Sequence, residues 1–283
     1  MILVTGATGT IGSELLRRLA GRGQKVRAFS RSPEKLPQLQ GLEPFRGDLL
    51  DRRSIEAALK GADRVFLLSD ASPRQVELQG NLIQVARRSG VRLLVKLSVL
   101  GADAQSPINL ARWHAKTEDE LRRADIPHAI LQPHFFMQNT LGYASTVISD
   151  GAIYGAMGGG KVAMVDARDV AAVAAAVLTG RGHEGKTYVV SGGEAVSLQD
   201  VAERISVAIG KRVKYVDVPA GDLKKGMLQA GMPDWLADDL TSLQVYFSTN
   251  GAAAKTTVVR DLTGAPPRTY DAFAGEFASR FNG

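Results

Sequence analysis

Three glycines near the start of the chain have the spacing of a phosphate-binding turn. Gly6, Gly9 and Gly12 form the pattern G-x-x-G-x-x-G directly after an apolar segment, residues 2–5. Glycine allows a tight turn between a strand and a helix, and it lets a pyrophosphate approach the amides at the helix N-terminus. The alternative is a purely structural turn. In this setting the sequence predicts a dinucleotide site formed by Gly6, Ala7, Thr8, Gly9, Thr10, Ile11 and Gly12.

The residues after the second predicted strand indicate which dinucleotide binds. A site for NAD normally has Asp or Glu about twenty residues after the turn, where the carboxylate binds the ribose hydroxyls. This chain instead has Ser30 and Arg31, followed by Lys35. Because guanidinium and ammonium groups form charge-assisted hydrogen bonds with phosphate, we expect these three residues to bind a 2′-phosphate. The prediction is NADP(H); the alternative is a solvated charge cluster at a helix start.

Further candidate cofactor contacts follow later strands. Asp48 follows the third predicted strand and could accept a hydrogen bond from an adenine amine, or serve as a turn or cap residue. Ser69 and Ser98 follow the fourth and fifth predicted strands, at the edge where doubly wound sheets bind ligands. The predicted groove also includes the apolar residues Leu49 and Leu68, which adjoin these positions.

The elements that must position these residues alternate along the chain. Apolar segments are followed by amphipathic ones, which is typical of βαβ units with a parallel sheet. The predicted strands are residues 2–5, 26–30, 43–46, 65–69, 93–98, 129–131 and 187–190. The predicted helices are residues 13–21, 55–59, 75–89, 112–124, a segment beginning at Asp169, 198–209 and a stretch around 222–229. The sequence therefore predicts an α/β protein.

Composition and charge limit the alternatives. The 283 residues are 45% hydrophobic, contain no cysteine and carry a net charge of +6. The excess is densest just after the glycine turn, where Arg17, Arg18, Arg22, Lys25, Arg27, Arg31 and Lys35 are accompanied by one acid, Glu34. This stretch is interpreted as part electrostatic funnel and part solvated surface; without interleaved aromatics it does not predict a nucleic-acid partner.

Several other site classes are not expected. The absence of cysteine excludes disulfides and thiolate chemistry. His128, His134 and His183 have no metal-ligand spacing, so no metal is predicted. No export signal is recognised, and the longest apolar run, residues 170–178, is too short for a bilayer. We therefore expect a cytoplasmic protein without a membrane partner.

Several motifs occur together in an order that resembles a known family. They are residues 4–9, 30–33, 47–48, 114–118, 126–139 and 165–171. The combination resembles the NmrA-like branch of the atypical short-chain dehydrogenase/reductases over residues 3 to about 215. Known members include NAD(P)H-dependent quinone oxidoreductases, azoreductases, triphenylmethane dye reductases and NADP-sensing regulators without catalytic activity.

The resemblance implies a doubly wound Rossmann sheet with a smaller C-terminal α/β substrate domain. We expect residues 1–135, with 160–192 returning, to form the first domain, and 136–159 with 193–283 the second. By position, the likeness places residues 6–11 and Arg31 at the cofactor phosphates. It also places beside the nicotinamide the residues Pro133, His134, Phe135, Phe136 and Met137.

The chain departs from this family pattern in two places. No tyrosine begins a Tyr-x-x-x-Lys motif, so the proton relay of the alcohol-dehydrogenating members is missing. Gln132 also precedes Pro133, where the family commonly has Arg. The missing relay favours acceptors that are already electrophilic, such as quinones, azo compounds and triarylmethyl cations, over simple carbonyls. The Gln132 departure removes the support for any role drawn from that Arg.

Two polar residues and an aromatic wall are the candidates for chemistry beyond the cofactor. His114 could donate a proton to an acceptor, and Lys116 could do the same or orient the nicotinamide ribose; both could equally be ordinary surface residues of a helix. A small aromatic substrate is expected to pack against Phe136, Met137, Tyr143 and Met157, unless these belong to the core.

Two functions remain open. The first is an NADPH-dependent reductase that transfers hydride to a conjugated aromatic acceptor such as a quinone or azo compound. The second is a redox sensor that binds NADP(H) without turnover. The sequence leaves the oligomeric state open, a homodimer included.

Overall fold

The computed structural model describes residues 1–282 of the protein. At its centre is a sheet of seven parallel strands. The strands of the chain are β1 Ile2–Val4, β2 Val26–Ser30, β3 Leu42–Arg46, β4 Arg64–Leu67, β5 Leu93–Leu97, β6 His128–Pro133, β7 Ala152–Gly155, β8 Thr187–Val190 and β9 Lys214–Asp217. The large sheet has the order β3-β2-β1-β4-β5-β6-β8, with every neighbouring pair parallel. Strand β1 therefore lies inside the sheet, and the strand order reverses between β1 and β4.

The helices flank this sheet or form a separate layer beside it. They are α1 Thr10–Ala20, α2 Arg52–Leu59, α3 Gln75–Ala86, α4 Asn109–Arg123, α5 Ala144–Asp150, α6 Ala167–Thr179, α7 Leu198–Ile209, α8 Ala220–Gln229, α9 Asp234–Ser248, α10 Val258–Thr263, α11 Tyr270–Glu276 and α12 Ala278–Asn282. Short 3₁₀ turns cover Pro33–Lys35 and Met137–Tyr143. No helix within residues 1–282 combines the length and apolar character needed to cross a membrane.

Alternating residues of the strands feed two apolar cores, one on each face of the sheet. Val4 and Val95 pack with α1 and α6 on one face, whereas Leu3 and Leu94 pack with α2, α3 and α4 on the other. Each strand side chain points opposite to the next, so a strand covered on both faces must be apolar throughout. This arrangement is why the central strands were recognisable in the sequence.

The C-terminal part contains a second, smaller sheet that the sequence did not reveal. Strands β7 and β9 pair in parallel, residues 152–155 with 214–217. Together with α7, α11 and α12 they enclose a third core, which includes Ile153 and Phe273. The chain also returns to the large sheet late, because Val259 of α10 packs into the core beside α1 and α6.

Most predicted elements are present, with differences at helix starts. α1 begins at Thr10 rather than at residue 13, so the glycine turn is itself the start of the helix. α4 begins at Asn109 rather than at 112, because Asp239 of α9 accepts hydrogen bonds from the amides of Asn109 and Leu110. That cap comes from a residue distant in sequence, which local pattern does not indicate.

Candidate functional site

The glycine turn between β1 and α1 is too tight for larger residues. Gly6 has a φ of 62°, and a Cβ there would lie 2.7 Å from the Leu68 side chain. A Cβ on Gly12 would overlap the carbonyl oxygen of Gly6. That oxygen accepts a hydrogen bond from the Gly9 amide at 3.0 Å. Two of the three glycines are therefore required by space or by backbone conformation.

The start of α1 offers unsatisfied donors to an anion. Gly9 caps the helix without a side chain, and no acid lies in the first turn. The first amides of an α-helix have no carbonyl acceptor within the helix, and the helix dipole is positive at this end. Since Thr8, Gly9 and Thr10 are exposed, the turn fits a pyrophosphate group.

The end of β2 presents basic side chains to solvent. Arg31 and Lys35 are exposed, and Ser30 is buried with its Oγ accepting from the Ser32 amide at 3.0 Å. Arg46 binds the Arg31 carbonyl at 2.8 Å and pairs with Glu34 at 3.2 Å. The Arg31 guanidinium itself makes no ion pair within residues 1–282. It is thus available to an anion.

The loop after β3 combines a turn with a close approach. One Asp48 carboxylate oxygen accepts from the Leu50 amide at 3.0 Å, so the turn role considered for this residue is present. Leu49 is buried beneath it, in the core on the α2 side of the sheet. The preceding Gly47 is required because a Cβ there would overlap the Phe29 ring. Contact of Asp48 with an adenine stays a prediction.

The ends of β1 and β4 are joined beside the turn. The Thr5 hydroxyl donates to the Leu68 carbonyl at 2.7 Å and accepts from the Leu68 amide at 2.9 Å. The next residue, Ser69, accepts from Gln79 of α3 at 3.1 Å. Two buried polar atoms nearby on α3, Gln79 Oε1 and Gln75 Nε2, have no partner within the described residues. The first turns of α3 thus place two buried polar atoms without partners behind Ser69.

The end of β5 holds a buried network of polar side chains. The Ser98 hydroxyl donates a short hydrogen bond to Glu118 Oε1 on α4. Glu118 also accepts from Gln132 of β6 at 2.9 Å and from Arg122 at 2.8 Å. Both Ser98 and Glu118 are buried. The predicted Ser98 is therefore in place at the strand end, with its hydroxyl held by a residue that the sequence reading did not single out.

A lysine that sequence reasoning missed lies at the same strand end. Lys96 of β5 is completely buried, and its Nζ lies 2.9 Å from His114 Nδ1 and 3.2 Å from the Leu97 carbonyl. Burial lowers the pKa of Lys96 to about 7, although Glu118 opposes the shift. Burial, and then the neighbouring Lys96, hold the pKa of His114 well below its ordinary value. The sequence did carry a signal for this residue, because Lys96 is the one charged residue in the otherwise apolar strand β5.

The structure separates the two polar residues that the sequence proposed on α4. His114 is buried against Lys96, whereas Lys116 is exposed and lines a surface groove with Arg87 and Glu120. Two steps along an α-helix rotate the side-chain direction by about 200°, so residues two apart lie on nearly opposite faces. Of these two candidates, His114 lies at the end of β5, whereas Lys116 lies on the outer surface of α4.

The residues of the predicted aromatic wall are divided between the buried core and partly exposed positions. Met137 and Met157 are buried in the third core, so the alternative considered for them is the observed one. Phe136 and Tyr143 are partly exposed, and burial of its hydroxyl raises the pKa of Tyr143 to about 12. Phe135 is also partly exposed and packs edge-on against Phe247, with ring centroids 5.4 Å apart.

Two residues predicted beside the nicotinamide continue strand β6. Pro133 and His134 are both buried, and the His134 amide donates to the Val190 carbonyl at 2.9 Å. Burial lowers the pKa of His134, so the neutral imidazole is favoured. Its Nδ1 is a buried nitrogen without a partner among residues 1–282. The backbone here is part of the sheet and supports the loop that carries Phe135 and Phe136.

Comparison with known proteins agrees with this geometry. The model of the NmrA-like family matches residues 1–274. The chain belongs to the NmrA-like family. The resemblance inferred from the motifs is thereby confirmed, and the seven-stranded parallel sheet confirms the predicted Rossmann fold class.

Reductases are prominent among the proteins to which this NmrA-like chain is similar. It is 38% identical to the NAD(P)H azoreductase of Xenophilus azovorans over 283 residues, which is 99% of each chain. The NADPH complex of the NADPH-dependent quinone oxidoreductase of Escherichia coli superposes with a TM-score of 0.91 at 31% identity, covering 98% and 99% of the two chains. The NADP(H) complex of the triphenylmethane reductase of Citrobacter sp. gives 0.87 at 26% identity, covering 98% and 100%.

Proposed function

We propose that this NmrA-like protein is an NADPH-dependent reductase that transfers hydride to a conjugated aromatic acceptor such as a quinone or azo compound. One observation carries this function: the phosphate turn and the buried His114 cluster lie at the same edge of one sheet. Register pairs Val4 with Phe66, and Leu67 with Lys96. The end of β1 is therefore level with Lys96, two strands and roughly 10 Å away.

We call the groove along this sheet edge, from the glycine turn to the His114 cluster, the candidate cleft. The residues at its first end, around the glycine turn, fit NADP(H). The first-turn amides of α1 suit its pyrophosphate, and the exposed Arg31 and Lys35 suit a 2′-phosphate. No carboxylate lies directly at the end of β2, where Ser30 and Arg31 stand, to select an unphosphorylated ribose. The similar proteins named above are an NAD(P)H azoreductase and two reductases whose structures contain NADPH and NADP(H), which agrees with this assignment. When bound, this cofactor supplies the hydride.

The residues at the second end suit an acceptor that needs little activation. The Ser98 hydroxyl is engaged by Glu118, and no tyrosine heads a Tyr-x-x-x-Lys motif. His114 is the polar group placed to donate a proton, since only its Nδ1 is occupied by Lys96. Partly exposed rings at Phe135, Phe136 and Tyr143 provide apolar surface for a flat substrate. Quinones and azo compounds are flat conjugated molecules, and they accept hydride with little activation.

A turnover assay tests the function directly. The full chain is mixed with NADPH and a panel of quinones and azo dyes, and loss of the reduced nicotinamide absorbance is followed. We expect oxidation of NADPH that depends on the acceptor. Tight NADPH binding without turnover across the panel would contradict the reductase and favour the NADP(H) sensor instead.

A further inference from the structure

The buried pair Lys96 and His114 has a defined hydrogen-bond polarity. An ammonium group has three donors and no acceptor, so a charged Lys96 can only donate to His114 Nδ1. His114 must then be neutral and carry its proton on Nε2. Within residues 1–282 Nε2 makes no hydrogen bond, and the His114 side chain keeps 8% of its surface exposed. One ring nitrogen therefore contacts a buried cation, while the other is left to donate its proton.

We propose that Lys96 is the proton source behind His114 during reduction of the acceptor. Hydride transfer to a quinone or azo group leaves an anion, which takes the proton from His114 Nε2. His114 Nδ1 takes a proton from the Lys96 ammonium. The N–H bond at Nζ breaks as the one at Nδ1 forms, and the N–H bond at Nε2 breaks as the acceptor gains its O–H or N–H bond. The products are a neutral reduced acceptor, His114 protonated on Nδ1, and a neutral Lys96 amine; solvent then restores the proton through Nε2. This role rests on the proposed function. Lys96 acts in it through His114 and does not touch the acceptor.

The surroundings of Lys96 suit a group that gains and loses a proton. The residues in register on the neighbouring strands, Leu67 and Ile130, are uncharged. The charged groups that act on it lie on α4, where Glu118 favours the ammonium and Arg122 disfavours it. Glu118 is itself bound by Arg122, so it does not fully neutralise Lys96. Burial leaves the pKa of Lys96 at about 7, so both protonation states of the amine are accessible near neutral pH.

Nitrogen-15 NMR of the full chain without ligand tests the polarity of this pair. We expect His114 to carry its proton on Nε2 at mildly acidic pH, and the Lys96 Nζ signal to titrate near pH 7. A proton on Nδ1 while Lys96 is charged would overturn the relay, because Nδ1 could not then accept. This measurement does not require turnover, so it judges the relay separately from the proposed function.

Two acceptors with different proton demand test the relay in turnover. Hydride addition to a neutral quinone leaves an oxyanion, whereas hydride addition to a triarylmethyl cation gives a neutral product and needs no proton. We expect Lys96→Met to slow quinone reduction by about 10- to 100-fold and dye reduction by less than about twofold. The matched control Lys60→Met, at an exposed lysine, should change neither. Equal losses with both acceptors would overturn the relay.

A second variant separates proton supply from positioning. Lys96→Gln keeps a hydrogen-bond donor for Nδ1 but has no proton to transfer. We expect it to be as slow as Lys96→Met with the quinone; recovery to the wild-type rate would show that Lys96 only orients His114. A wild-type chain that oxidises NADPH with neither acceptor would contradict the proposed function, while the NMR result would still decide the polarity of the pair.

Discussion

The two ends of the candidate cleft handle charge in opposite ways. At the phosphate end, Arg31 and Lys35 are exposed, and much of the anion site is backbone amide. At the far end, Lys96, His114 and Glu118 are buried and contact one another or their neighbours. Exposed charges are screened by water and salt, whereas buried ones shift each other's protonation. The first end is therefore suited to binding an anion and the second to moving a proton.

Removing the imidazole should produce the largest effect on the buried end. We expect His114→Ala to lower the rate of quinone reduction by at least about 100-fold, because the acceptor loses its proton donor. NADPH affinity, measured by calorimetry, should change little, since the phosphate end is untouched. Lys116→Ala should alter the rate by less than about twofold, as its side chain lies on the outer surface of α4. The opposite ranking would show that the wrong face of α4 had been assigned.

Filling the glycine turn should break the phosphate end. A Cβ at Gly12 would overlap the Gly6 carbonyl, so Gly12→Ala must displace the start of α1. We expect NADPH affinity to fall about 50-fold, or roughly 2.3 kcal/mol. Gly226→Ala is the matched control, because a Cβ on that residue of α8 meets open space. Unchanged affinity in Gly12→Ala, measured by calorimetry, would mean that the turn does not hold the pyrophosphate.

Removing one exposed cation should affect phosphate selectivity more modestly. We expect Arg31→Ala to weaken NADPH about tenfold and NADH by less than about twofold, because only the former carries a 2′-phosphate. The difference should shrink at high salt, as expected for a screened contact. Arg53→Ala removes another exposed arginine and serves as the control. Equal weakening of both dinucleotides would show that Arg31 does not distinguish them.

The pH dependence of stability should contain a component from the buried end. The pKa of Lys96 is lowered from 10.5 to about 7, so above pH 7 the unfolded chain binds a proton that the folded chain lacks. The free energy of unfolding should therefore rise with pH from about 7 toward 10.5, by about 1 kcal/mol for the first unit. Denaturant unfolding of Lys96→Met should lose this component of the slope, and Lys60→Met should keep it. A slope unchanged in Lys96→Met would mean that Lys96 stays charged when buried.

The sequence anticipated the phosphate end better than the proton end for a physical reason. The turn at Gly6 and Gly12 depends on backbone conformation and on neighbours in the same loop, both of which are local. The cluster around His114 depends on which face of α4 meets β5, and helical spacing alone did not settle that. From the sequence, Lys116 is as good a candidate proton donor as His114. The packing of α4 on β5 distinguishes the two residues.

The amino-acid sequence by itself determined the α/β class, the NmrA-like family and the glycine turn after β1, because these follow from apolar periodicity and from the backbone freedom of glycine. Only the tertiary structure decided that Lys96 faces His114, that Ser98 is bound by Glu118, and that β7 pairs with β9. These contacts join segments distant along the chain. Their existence depends on packing, which sets burial and hence protonation, and no local pattern carries that information.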